Sequence, residues 1–566
     1  MTTTRHFIVF AVAYTLAGCA WQQPVPESRA PQAGAGQQAD LILTNGKIVT
    51  VDDRFTIAQA VAIRGSRIVA VGSNADMRRL AAANAKVTDL QGRTVIPGLI
   101  DNHAHFVRVA EKWHSEMRLD EITSRKQVIG MLRERVRTTP PGTWIVALGG
   151  WSEEQFTDDP RGFSLAELDQ IAPGHPVALQ AVYRHTYLNS AALKAAGIHG
   201  KTPDPAGGRI EKDAAGAPTG LVSGAGGVAF VAAKVPLADK EQWRQNARNV
   251  VRYLNSVGMT AWMDAGGRGM SDSHYAPYRE LADRGELNIR IYWQTIRQPG
   301  TPQDVEKVLA EIPTLKPFQG TDYFDNVGYG ESVYGPINTQ LLNPKANTRP
   351  EDMAQWGRIT RALAQHGIYV NSHVEMEASI DAFLTLYEGI NREKPIKGLR
   401  WAFSHIDQVT PQQIERMKRL GMTAQIHTRP LIQGSLMHRF HGERAWTMPP
   451  MKMVQESGIM WGLGSDATAV TTSNPFYNLW FAVTGKMVGG KEVNRQTITR
   501  EQALIAHTRN NGYVVFQESN LGSLQPGKYA DLLVLDRDYL TVPADEIKDI
   551  KPVMTMVGGK VVHEAR

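Results

Sequence analysis

Between about Val95 and Val514, short apolar runs alternate with amphipathic stretches, and each run closes on polar residues. That alternation is the strongest constraint on the fold. Apolar strands separated by helix-length segments build βα units around a parallel sheet buried on both faces. The runs are TVIPGLIDNHAHF, GMTAWMDAG, NIRIYWQT, FDNVGYGES, GIYVNSHVE, LRWAFSHID, GMTAQIHT and GIMWGLGSD. They predict an α/β fold, a (β/α)8 TIM barrel. In that fold the reacting groups stand at the C-terminal strand ends, so the polar residues that finish the runs are the ones to read for chemistry. Residues of about 115–250, between the first two runs, are too many for one crossover. They read as an insertion with strands of its own in TWIVALGG and VALQAVYRHT.

The flanks have a different texture. LILTNGKIVTVDD, AVAIRGSRIVAVGS and TVIPG are strand-like, and Asn45-Gly46 and Arg64-Gly65 read as hairpin turns of a small antiparallel sheet. YADLLVL and VMTMVGGKVV repeat the pattern near the other end, with a turn at Gly558-Gly559. Residues 41–94 and 515–566 are therefore expected to form one small β-domain beside a barrel at 95–514.

Composition narrows the class. With 42% hydrophobic and 21% charged residues in 566, the chain is neither a many-pass membrane protein nor a disordered one. The net charge is +6, and no run of five Lys or Arg is present, so nucleic acid is not an expected partner. One cysteine permits no internal disulfide and no Cys-based zinc site. It is Cys19, after an apolar HFIVFAVAYT too short for a membrane span and the small residues Ala17 and Gly18. This start resembles a bacterial lipoprotein signal over residues 1–18. The resemblance implies membrane attachment through a lipidated Cys19, with Ala20 favouring an outer-membrane lipoprotein that faces the periplasm or the cell surface. Residues 19–40 are rich in Pro, Gln, Ala and Gly and read as a tether of roughly 25 Å root-mean-square span.

His103 and His105 end the first run. Residues i and i+2 of a strand share a face, so the two imidazoles can hold one metal ion. His373, His405 and Asp466 end later runs. A lone histidine at a strand end is more often structural, and it is the ordered recurrence on separate strands that points to a site. Imidazole together with carboxylate suits Zn, Mn, Fe or Co, whereas Ca and Mg favour oxygen alone. No Gly-x-Ser-x-Gly elbow, dinucleotide fingerprint or phosphate loop is present. His438 and His441 read as a solvated face.

With PGLIDNHAHF, GWSEE, RHTYLNSAALKAAGI, GGRIEKDAAGAPTGL, LGSDA and LGSLQPGKYADLLVLD, the chain from about Leu41 onward resembles the amidohydrolase superfamily. Within it the match is to amidohydrolase family 3, the branch of the N-substituted formamide deformylases. The resemblance implies a (β/α)8 barrel whose flanking β-domain, residues 41–94 and 515–566, is a β-sandwich, and one or two divalent transition-metal ions, zinc foremost. His103 and His105 would hold one metal and His373 and His405 the other, with Asp466 touching the first and carrying the proton. Family members often bridge the metals with a carboxylated lysine on the fourth strand; FDNVGYGESVYGP has no lysine, and Glu331 is the acid there. Glu331 either bridges two ions or serves a one-metal site from outside. Glu375-Met376 and Ser404 also depart from the family pattern. His185 and His427 are candidates to polarise a carbonyl or touch substrate. The expected function is metal-dependent hydrolysis of a non-peptide C–N bond in a small molecule. An esterase, lactonase or carbamate hydrolase with the same site is one alternative, and an inactive binding lipoprotein is another. The residues leave oligomeric state open.

Overall fold

In the computed structural model, which describes residues 38–267, 269–342 and 347–565, the eight apolar runs form eight parallel strands. They are β1 (Leu99–Ala104), β2 (Met259–Asp264), β3 (Arg290–Thr295), β4 (Phe324–Tyr329), β5 (Asn371–Val374), β6 (Ala402–His405), β7 (Thr423–His427) and β8 (Trp461–Gly464). β1 to β4 make one sheet and β5 to β8 another, each in chain order. Backbone bonds cross both seams. Tyr329 N donates to Tyr369 O at 2.9 Å, while Asp466 N donates to His103 O at 2.9 Å and His105 N to Ala467 O at 2.8 Å. The strands thus follow one another with the connectivity of a (β/α)8 ring. The expected signal segment, Cys19 and the expected tether up to residue 37 lie outside the described residues. Among the described residues no helix is long and apolar enough to cross a membrane.

The helices between strands carry their own start and stop signals. In α1 (Pro411–Leu420), Thr410 caps the first turn, Gln413 reaches back to complete a capping box, and Gly421 ends the helix at φ 68°. Such a cap contributes about 1 kcal/mol. Ile414, Met417 and Leu420 recur at helical spacing and are buried in the same apolar cluster as Phe403 of β6 and Ala424 of β7.

Four boundaries differ from the sequence reading. The first run divides: Thr94–Pro97 pairs antiparallel with Leu532–Leu535 in the flanking sheet, and only then does the chain pass through Gly98 into β1. A side chain at Gly98 would stand 2.1 Å from Thr260 Oγ1, so the close crossing requires glycine. The insertion ends before the helix Lys240–Ser256, not near residue 250, because Val250, Val251 and Leu254 of that helix are buried with Trp262 of β2. Asn45-Gly46 is not a hairpin turn: it links Ala39–Thr44 and Lys47–Val49, which belong to different sheets. The flanking sheets are also not purely antiparallel, since Ala81–Asp89 runs parallel to Ala39–Thr44. Arg64-Gly65 and Gly558-Gly559 do join hairpin strands.

The two flanking sheets, of four and six strands, face each other through Leu43, Val61 and Ile63 on one side and Val95, Leu532 and Met556 on the other. The six-stranded sheet draws strands from both ends of the chain. The insertion forms a five-stranded sheet in which VALQAVYRHT becomes two antiparallel strands, Val177–Ala181 and His185–Leu188.

Barrel and sandwich are joined by a buried ion pair. Arg290 at the start of β3 meets Asp531 with Nε–Oδ2 2.8 Å and Nη2–Oδ1 3.0 Å, and Gly558 N also donates to Asp531. The guanidinium lies over the Tyr529 ring at 4.1 Å. Removing one partner of such a pair strands a buried charge, at a cost of about 3–5 kcal/mol. Asp531→Ala should lower the urea midpoint by a corresponding amount, whereas a midpoint within error of the parent would mean that the pair does not fasten the two parts.

Candidate metal centre

The polar residues that finish the barrel strands converge. His103 lies in β1 with His105 just beyond it; His373 lies in β5; His405 and His427 are the last residues of β6 and β7; Glu331 and Asp466 stand two residues past β4 and β8. Glu331 is at the centre. Its Oε2 is 3.3 Å from His103 Nε2, 3.0 Å from His373 Nδ1 and 3.6 Å from His405 Nε2, and its Oε1 is 3.8 Å from His105 Nε2. Asp466 Oδ1 is 3.1 Å from His105 Nε2 and 3.8 Å from His103 Nε2. His427 Nδ1 lies 2.8 Å from His405 Nδ1. Three groups have ligand atoms within 4.8 Å of one another: His103, His105 and Asp466; Glu331, His373 and His405; and His103, His405 and His427.

These residues fit a metal. Buried polar side chains nearly always find partners, yet the Nε2 atoms of His103, His405 and His427 are buried with none among the described residues. Lone pairs that meet near carboxylates are what a divalent cation would satisfy, and the mixed donor set suits Zn, Mn, Fe or Co. His105 is oriented for this from behind. Its Nδ1 bonds to Gly266 O, which places a proton on Nδ1 and turns Nε2 toward Asp466.

Electrostatics agree. Burial opposes ionisation of Glu331, but His103 and His373 hold it well below the carboxylate range. Asp466 is likewise held down to about 2 against burial by His105, His405 and His103. Burial, with the charges of His373 and Arg429, pushes His405 down to about 3. His427 is also held well below its usual value, by burial first and then by His103. Both are therefore neutral imidazoles, the form that ligates. For His373 burial is outweighed by Glu331 and Glu375, which raise it to about 10, so this ring would have to give up a proton to ligate an ion. Two of the site residues take left-handed backbone, His405 at φ 79° and Asp466 at φ 65°. Such conformations cost of order 1–3 kcal/mol each and cluster at functional sites.

A supporting layer surrounds these groups. Asp101 accepts from His103 N at 3.0 Å and Ser465 N at 3.1 Å, tying β1 to the loop after β8. Ser404, one of the departures from the family pattern, places Oγ 3.2 Å from His103 Nδ1 and bonds Asn371 and Gln425. The sequence reading missed the set Glu375, Asp407 and Arg429. Arg429 donates from Nη1 to Glu375 Oε1 at 2.8 Å and from Nη2 to Asp407 Oδ2 at 3.1 Å, and its Nε is 3.8 Å from Asp466 Oδ2. A signal existed, because each of the three follows a site histidine by two residues: His373, His405 and His427.

His185 is not brought into the histidine cluster. It lies on an insertion strand with Nε2 2.5 Å from Glu153 Oε1, and Tyr187 Oη donates to the same oxygen at 2.6 Å. This buried pair ties the GWSEE and RHTYLN segments together. His438 and His441 bond the carbonyls of Val493 and Leu341, so both are engaged locally.

Comparison with known proteins accords with this geometry. The chain is 27% identical over 553 residues to the N-substituted formamide deformylase of Arthrobacter pascens, covering 93% of this chain and 99% of that one. It is also 27% identical over 557 residues to Protein LONG AFTER FAR-RED 3 of Arabidopsis thaliana, covering 94% and 92% respectively. Among solved structures, an uncharacterized metal-dependent hydrolase from Pyrococcus furiosus superposes with a TM-score of 0.63 at 20% identity, over 88% of this chain and all of that one. That likeness speaks for the fold. Residues 86–563 match the amidohydrolase family, and with the strand-end histidines and carboxylates in the places that fold provides, the chain belongs to that family.

Proposed function

We infer that the protein hydrolyses a non-peptide C–N bond in a small molecule: an amide, formamide, cyclic amide or N-acyl compound. The observation that carries this reading is the arrangement about Glu331, within 4 Å of imidazole nitrogens from His103, His105, His373 and His405. Near full-length similarity to an N-substituted formamide deformylase supports the bond type.

His103, His105, Glu331, His373, His405 and Asp466 are the residues that would hold one or two ions, zinc foremost. Such an ion lowers the pKa of a bound water toward neutrality and so supplies a nucleophile without Ser or Cys. Glu331 turns Oε2 toward three histidines and Oε1 toward His105, which suits a bridge. Asp466 is ionised at neutral pH, so its carboxylate takes the proton of the attacking water and returns it to the leaving nitrogen. Arg429, close to Asp466 Oδ2, limits how that carboxylate can turn. His427 is neutral, and with its proton on Nε2, an atom that makes no hydrogen bond among the described residues, it would donate to the carbonyl oxygen.

Purified, unchelated protein should contain about two transition-metal ions per chain, as a bridged site requires, read by elemental mass spectrometry. The content should fall in Glu331→Ala. Chelation should abolish hydrolysis of N-substituted formamides and added zinc should restore it; protein that stays metal-free after reconstitution would sink the reading. Asp466→Asn should reduce kcat by about 10²–10⁴-fold, the usual worth of a positioned proton carrier, with unchanged circular dichroism. Near-parental turnover would remove Asp466 from the proton path.

The reading extends to location: a lipid-modified Cys19 would tether the enzyme at the outer membrane. In a bacterial host, Cys19→Ala should release the protein from the membrane fraction and lose the lipid mass. Retention of that mass would exclude Cys19 as the anchor.

A further inference from the structure

Among the described residues, one cation close to His105 forms no ion pair with an acid. Arg108 lies three residues past His105, in the short helix Phe106–Val109 that starts directly after that histidine. Among the described residues its one hydrogen-bond partner is neutral, the Tyr183 hydroxyl, to which Nη2 donates at 2.6 Å. No Asp or Glu among the described residues pairs with it, although the charges of Asp466 and Asp264 reach it and it in turn acts on His105. The contrast with Arg429 is plain, since that guanidinium is surrounded by Glu375, Asp407 and Asp466. Lys112, on the same segment, is turned to the Ala232 carbonyl at 2.9 Å. Arg108 is partly buried, where an ion pair is screened less than at a free surface.

Tyr183 comes from the insertion, at the turn between the strands Val177–Ala181 and His185–Leu188. It is 42% exposed, so its ring edges solvent while its hydroxyl holds the guanidinium. The turn itself is held tightly. Val182 has φ 40°, a conformation that a β-branched residue rarely takes. Its N–H donates to Trp151 O at 3.1 Å, and Arg184 N–H closes the turn on Ala181 O at 3.1 Å. Val182 is buried in the apolar cluster that also holds Val333 and Tyr334, two and three residues beyond Glu331. A strained, pinned residue next to the one that holds Arg108 is where a functional constraint is to be sought.

Resting on the hydrolase reading above, we propose that Arg108, steadied by Tyr183, anchors a carboxylate on the substrate, so that the compound cleaved is an N-acyl compound bearing an acid group. A guanidinium offers five donors, and one is spent on Tyr183. The remaining face can take a carboxylate through two parallel bonds, the geometry in which Arg excels and Lys does not. Tyr183 adds direction by restricting the rotation of the guanidinium. The anchor and the Glu331 centre then fix two points of one ligand, which orients its scissile carbonyl.

The test uses the zinc-loaded full chain and a panel of N-formyl amino acids, with side chains from hydrogen to benzyl, beside their neutral carboxamides. Binding is measured by calorimetry and turnover separately. In the parent protein the acids should bind at least about tenfold more tightly than the amides, the usual worth of a charge-assisted pair. Arg108→Met should bring that ratio close to one, and Arg108→Lys should keep part of it. Tyr183→Phe removes only the hydroxyl of a half-exposed ring and should lower the ratio about threefold, the worth of a single neutral bond. If Arg108→Met does not fold, the ratio must still fall in the other two variants. A parental ratio near one across the panel, absence of binding by acids and amides alike, or a ratio that survives these substitutions overturns the anchor. The two readings fail differently: turnover of both series without preference removes the anchor alone, and preferential binding of the acids without turnover of either removes the hydrolase reading alone.

Discussion

The structure turns on one carboxylate. Glu331 faces four imidazoles delivered by three strands, and its negative charge makes their convergence tolerable in a buried place. A carboxylate without such neighbours would resist ionisation there; with them it stays ionised against burial. The converse holds for His373, which burial alone would render neutral. Opposite charges in a low-dielectric site raise each other's stability steeply with proximity, so the strand ends must arrive within a few tenths of an ångström. The bonds across the seam between β1 and β8 serve that registration, since Asp466 N and His105 N are themselves the donors. The backbone bonds that join β1 to the chain leaving β8 and the side chains that form the centre therefore belong to the same residues.

The next layer keeps those groups from relaxing. Asp101 ties His103 to Ser465, Ser404 links His103 to Asn371 and Gln425, and Arg429 gathers Glu375 and Asp407 beside Asp466. Buried charges of this density are costly unless each is paired. Asp407 shows the balance at its limit: burial pushes its carboxyl up to about 6 even though Arg429 pulls the other way.

Much of this was legible in the residues because strand geometry has a period of two. His103 and His105 declare a shared face, and all eight barrel strands fall inside the eight apolar runs. The same rule, carried two residues past each later histidine, leads to Glu375, Asp407 and Arg429, which reading the histidines singly passed over. What local sequence could not give was pairing over distance. Asn45-Gly46 has the chemistry of a hairpin turn, yet the chain there leaves one sheet for another, with Leu90 Cδ1 2.5 Å from where a Gly46 side chain would begin. Ala81–Asp89 has the alanines of a helix and becomes an edge strand because Ala39–Thr44 offers it a ladder. His185 sits in a segment shared with the family, but the partner that determines its role is Glu153, 32 positions away and met only once the insertion sheet has formed.

On the proposal above, the insertion is the element through which the Glu331 centre acquires a particular substrate. The barrel supplies the histidines and carboxylates from strand ends whose positions the ring constrains, so little can change there without loss of the centre. The Tyr183 turn is under different constraints. It is built on the insertion's own five-stranded sheet and reaches the barrel's Arg108 through one hydrogen bond. A change at Tyr183 alone would free Arg108 from its one hydrogen bond and remove none of the contacts of Glu331. On this proposal chemistry and recognition rest on different elements, the barrel strand ends and the insertion turn, and the short helix after His105 is where they meet.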